Sequence, residues 1–65
     1  MIDNSTTFLH KFFFACDTYS ADKIDAMVDA FVIQVCIEEK MIDTIYENGR
    51  RLYRILPNGR KIIKG

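Results

Sequence analysis

The stretch IDTIYENGRRLYRILPNG, residues 42–59, decides the fold. Two Asn-Gly pairs, Asn48-Gly49 and Asn58-Gly59, punctuate runs rich in Ile, Tyr, Leu and Arg. Asn-Gly suits a type I′ turn, because both central residues of that turn take positive φ and its twist matches that of a hairpin. The pattern therefore predicts strands at about 42–47 and 50–56. Beyond Pro57 the tail RKIIKG suits either a third strand or a short helix, and the residues leave both open.

Working back toward the N-terminus, the pattern changes to helical. Asn4-Ser5-Thr6 offers short side-chain oxygens to the free amides of a first turn. Phe8, Leu9, Phe12, Phe13 and Cys16 then recur at helical spacing, which predicts a first helix over about 5–18. Phe14 falls off that stripe. Ser20 is the expected cap of a second helix, with Asp22 near the positive end of its dipole. Ile24, Met27, Val28 and Phe31 continue at i, i+3, i+4 and i+7, and Val35 extends the stripe. Residues 30–37, AFVIQVCI, are apolar nearly all round and suit a buried strand as well as a helix. Helix is favoured because Glu38, Glu39 and Lys40 resume a helical pattern with Met41 and Ile42. A helix apolar on two sides requires cover on two sides.

Sixty-five residues make one domain, 1–65, with a thin core. The expected class is α+β: two or three N-terminal helices followed by a C-terminal β-hairpin. Cys16 and Cys36 stand twenty residues apart with no CxxC or Cys/His spacing, so neither a zinc site nor a redox motif is read from them, and buried free thiols are expected. Asp29, Gln34, Glu38 and Glu39 interrupt the most apolar region well short of the roughly 20 residues of a membrane span. Met1-Ile2-Asp3 carries no basic n-region, which favours a reducing cytoplasm. His10 has no ligand or base partner at useful spacing, and Asp22, Asp25 and Asp29 read as a solvated stripe. No enzyme, metal or cofactor is expected.

Zero net charge conceals a sharp asymmetry. Residues 1–47 hold three Lys against nine acids, a net −6, whereas residues 48–65 hold Arg50, Arg51, Arg54, Arg60, Lys61 and Lys64 with no acid, a net +6. Such an end either binds a polyanion or balances the acidic half internally. With Tyr53 interleaved, the basic set is the one constellation with a binding function to offer. Alternation along a strand places Arg50 and Arg54 on the face of Leu52, and Arg51 on the face of Tyr53.

The segment IEEKMIDTIYENGRRLYRILPNGRKIIK resembles the C-terminal half of winged-helix repressors of the MarR-like and PadR-like kind. The matching pieces are the helix end Ile37-Glu38-Glu39-Lys40, the apolar strand Ile42 to Tyr46, the wing tip Asn48-Gly49, the Arg-rich strand Arg50 to Ile55, and Pro57 to Arg60 at the start of a terminal helix. The likeness covers about the last 29 of 65 residues. It implies a winged-helix-like domain regulating transcription by binding nucleic acid. Two features depart from the pattern. The turn between the second and third helices shrinks to about Val28-Asp29-Ala30, and AFVIQVCIEEK lacks the side chains that read base edges.

Two functions follow as expectations. In the first, a small winged-helix-like regulator, of the kind encoded by phages or mobile elements, binds double-stranded DNA through a basic wing built from Arg50, Arg51, Arg54, Arg60, Lys61 and Tyr53. In the second, a protein-binding inhibitor docks on a host or partner protein through an apolar and acidic helical face. A homodimer is expected as well, because so short a chain has few elements with which to cover its third helix, and Ile33, Ile37 and Phe14 are the residues expected at a dimer or partner interface.

Overall fold

The structure, a computed structural model, describes residues 4–64. In chain order it consists of helix α1 (Asn4–Phe13), strand β1 (Thr18–Ser20), helices α2 (Ala21–Met27) and α3 (Ala30–Glu38), strands β2 (Ile42–Glu47) and β3 (Arg50–Ile55), and helix α4 (Pro57–Lys64). The strands form one antiparallel sheet in the order β1-β3-β2. The class is α+β as expected, with two differences. A third strand lies between α1 and α2, and the hairpin is followed by α4 instead of ending the chain.

The hairpin has the predicted geometry. Asn48 and Gly49 take φ of 54° and 76°, and β2 and β3 pair from Ile42 opposite Ile55 to Glu47 opposite Arg50. Directly opposed residues share a face. One face carries Ile42, Thr44, Tyr46, Arg51, Tyr53 and Ile55, joined from β1 by Tyr19 opposite Tyr53. Its buried members, Ile42, Tyr53 and Ile55, belong to the core with Phe8, Leu9, Phe12 and Phe13 of α1, Ala21 and Ile24 of α2, and Ile33 and Cys36 of α3. The other face shows Asp43 beside Arg54, Ile45 beside Leu52, and Glu47 beside Arg50.

Helix α1 stops at Phe13, five residues before the predicted end, because the sheet takes the residues that follow. The Ile55 amide donates to the Asp17 carbonyl at 2.9 Å, and Tyr19 turns its ring edge-on to Phe12 at 4.9 Å between centroids. A lone stripe of apolar side chains cannot announce a three-residue strand whose partner lies 34 positions away. Cys16 consequently leaves the core. It is exposed, its Sγ donating to the Phe12 carbonyl at 3.2 Å, while Cys36 is buried as expected, and the two form no disulfide with one another. The start of α1 at Asn4 puts its cap outside the described residues.

Ser20 caps α2 as predicted, its hydroxyl accepting from the Lys23 amide at 3.4 Å. The α2–α3 turn is as short as the sequence indicates. Val28 is extended at φ −123°, and the Asp29 carboxylate accepts from the Phe31 amide at 2.8 Å to open α3. This break resets the helical phase. The stripe Ile24, Val28, Phe31, Val35 does not continue across it: Ile33 and Cys36 point inward and Phe31 points out, 71% exposed. Ile33, expected at a dimer interface, is instead 6% exposed and part of the core. Asp22, Asp25 and Asp29 likewise share no single helix.

At its other end α3 closes at Glu38, three residues before Met41, so the predicted helical run through Ile42 is cut short. Lys40 takes φ of 61°, with its amide on the Ile37 carbonyl at 3.1 Å and the Met41 amide on the Cys36 carbonyl at 2.9 Å. These two bonds make a Schellman closure with lysine where glycine is usual. Pro57, whose missing amide costs nothing at a first helical position, opens α4 and settles the tail as helix. Gly59 lets α4 sit on the chain beneath it. A Cβ there would lie 2.5 Å from the Met41 carbonyl oxygen and 2.9 Å from Ile55 Cγ1.

Candidate interaction surface

The basic residues predicted to form a nucleic-acid-binding wing are not gathered by the fold. Arg51 turns inward and reaches α2, where its guanidinium pairs with the Asp25 carboxylate and approaches Asp22 at 3.6 Å. Tyr53, next along the same face, donates its hydroxyl to Asp25 Oδ1 at 2.7 Å, and Arg51 Nη1 reaches the phenol oxygen at 3.4 Å. The Tyr53 hydrogen bond, opposed by burial and aided by Arg51, holds the Asp25 carboxyl below its ordinary value. Burial, reinforced by Asp25, pushes the Tyr53 phenol up. Together these three side chains fasten α2 to β3.

Arg54 occupies the outer face and grips Asp43 of β2 with a fork, Nε to Oδ1 at 3.1 Å and Nη2 to Oδ2 at 2.6 Å. Arg60 closes the end of α1. It donates to the Phe13 carbonyl at 2.6 Å and the Cys16 carbonyl at 3.1 Å, and it pairs with the Asp17 carboxylate. Positive charge at a helix C-terminus is the favourable sign. Half of the basic set therefore balances acids of the N-terminal part. Among the described residues no ion pair reaches Arg50, Lys61 or Lys64. Arg50 stands at the hairpin tip and the two lysines on α4, at opposite ends of a strand about 17 Å long at ordinary rise.

A different surface emerges on α3. Its solvent side presents Phe31, Gln34, Ile37 and Glu38, with Met27 of α2 exposed just across the turn. Of the predicted interface residues, Ile37 lies on this side at 38% exposure, whereas Phe14 is exposed on the segment after α1, where His10 stacks on it at 6.1 Å. Exposed Phe31 and Met27 were not legible as surface residues from one continuous helical period. The signal that would have separated them is Asp29, an N-cap residue directly before the apolar run.

Exposed acids flank the apolar residues of this side: Asp29 at the α2–α3 turn, Glu38 and Glu39 at the far end of α3. Lys23 and Lys40 are the cations of the same two-helix segment, so acid prevails there by four to two once Asp25 is paired with Arg51. No group of three His, Cys, Asp or Glu among the described residues is placed to hold a metal ion, and none of the described helices is long and apolar enough to cross a membrane. In comparisons with family models, curated proteins and solved structures, nothing matches the chain.

Proposed function

We propose that this chain is a winged-helix-like interaction domain that docks on another protein through the solvent side of α3. The succession of α2, a two-residue turn, α3, the Asn-Gly hairpin and a helix opened by Pro57 supports the winged-helix-like reading. One observation carries the choice of protein over nucleic acid. The side of α3 left to solvent holds Phe31, Gln34, Ile37 and Glu38 and no cation. A helix set against DNA needs donors for base edges and positive charge for phosphates. Here Asp29 and Asp22 sit at the helix starts instead, where they repel a phosphate, and Arg51, Arg54 and Arg60 are engaged within the chain.

Nucleic-acid binding through the hairpin remains the second reading, favoured by Arg50 at the turn, a cation with no ion pair among the described residues. The two readings separate cleanly. A photo-crosslinking residue at Gln34, in the full chain expressed in its source cells, is expected to trap a protein, and Phe31→Asp is expected to abolish the product. A mobility shift on duplex DNA that disappears with Arg50→Glu and ignores Phe31→Asp would overturn the proposal.

A further inference from the structure

We infer that the partner presents a basic amphipathic helix laid along α3. This rests on the docking reading above and adds the partner's chemistry. Convex α3 has its main chain closed by its own hydrogen bonds and by the caps at Asp29 and Lys40, so it offers no backbone groups to an extended peptide. What it offers is a ridge of side chains, and ridges are complemented by the grooves of another helix.

The spacing on α3 specifies that helix. Phe31 and Ile37 are six residues apart, about 9 Å along the axis, and between them Gln34 supplies both a donor and an acceptor. Asp29 and Glu38 bracket the pair about 13 Å apart, with Glu39 beyond. A complementary helix carries two large apolar residues about seven positions apart and a Lys or Arg outside each. Opposite charge along the rim raises the encounter rate and fixes register, while the apolar pair supplies the central anchor. A second copy of this chain fits less well. Antiparallel pairing of α3 with itself would set Glu38 against Asp29, acid on acid.

Three synthetic helices of roughly 18 residues test this against the full chain by amide NMR and fluorescence anisotropy: one with the apolar pair and Arg at both ends, one with Glu in place of Arg, one with Ser in place of the apolar pair. The first is expected to shift α3 amides, and the other two to bind about tenfold more weakly or worse. Phe31→Ala should cost about tenfold or more, and Phe14→Ala nothing. Asp29→Asn, which keeps the cap, combined with Glu38→Gln should weaken binding and flatten its salt dependence. Equal binding of the Arg and Glu helices, shifts that map to α1 rather than α3, or a dimer whose interface is α3 would overturn the inference. A trapped partner at position 34 with no binding by the Arg helix would remove the helix and leave the docking reading standing. Absence of any trapped protein would remove that reading itself.

Discussion

Replacing Gly59 with alanine sets two physical effects against each other. Gly59 lies in the first turn of α4, where Ala is the better helix former by about 1 kcal/mol, so propensity alone makes the change stabilising. Packing opposes it. The added methyl would stand 2.5 Å from the Met41 carbonyl oxygen and 2.9 Å from Ile55 Cγ1. The first neighbour is backbone, and that same oxygen accepts the Leu56 amide at 2.8 Å, so it cannot retreat without loosening the approach to α4. Forcing an extra methyl into a closed contact typically costs about 1–3 kcal/mol, and displacing a main-chain hydrogen bond adds to it. The clash wins by about 1–2 kcal/mol, a fall in Tm on the order of 5–15 °C for a domain of this size. Thermal and urea unfolding of the variant beside wild type measure it. An unchanged or raised Tm would refute the reasoning and show that α4 does not rest on Met41.

Gly49 is glycine for the other reason, since nothing lies within 4 Å of a Cβ there but φ is +76°. Gly49→Val should cost about 1–3 kcal/mol by backbone strain and Gly49→Asn far less, as urea unfolding of the two variants will show. Lys40→Gly should raise stability by about 0.5 kcal/mol, because relief of a left-handed lysine exceeds the entropy that glycine adds to the unfolded chain; a lower Tm would contradict the helix closure described for α3. Tyr53→Phe probes the α2–β3 fastening through pH. The Asp25 carboxyl lies below its ordinary 3.8, so its contribution is complete above that value and is lost as pH falls through the folded pKa. The Tyr53 phenol lies above 10.0, so its contribution is complete below that value and is lost as pH rises through the folded pKa. The variant should be less stable at neutral pH, lose stability less steeply in acid, and shed the part of the alkaline loss due to this phenol, all read from urea midpoints across pH.

By itself the sequence determined what rests on neighbouring residues. Asn48-Gly49 sets a turn whose φ values few other pairs accept, and alternation beside it sets which residues of β3 share a face, as Arg50, Leu52 and Arg54 do. Ser20 announces its helix, and the shortness of the α2–α3 turn is legible in Val28-Asp29. Tertiary structure alone decided what depends on distant partners. β1 exists because β3 arrives to pair with Thr18–Ser20, and α1 ends early for the same cause, with Arg60 closing its carbonyls from 47 residues away. The candidate surface followed that division. A +6 segment reads as one continuous basic set, whereas the fold brings Asp25, Asp43 and Asp17 to three of its six cations, Arg51, Arg54 and Arg60. The side of α3 that meets solvent was set in the same way. A helical period gives spacing but not phase, and phase is fixed by which residues, here Ile33 and Cys36, find the aromatic rings of α1 and the sheet.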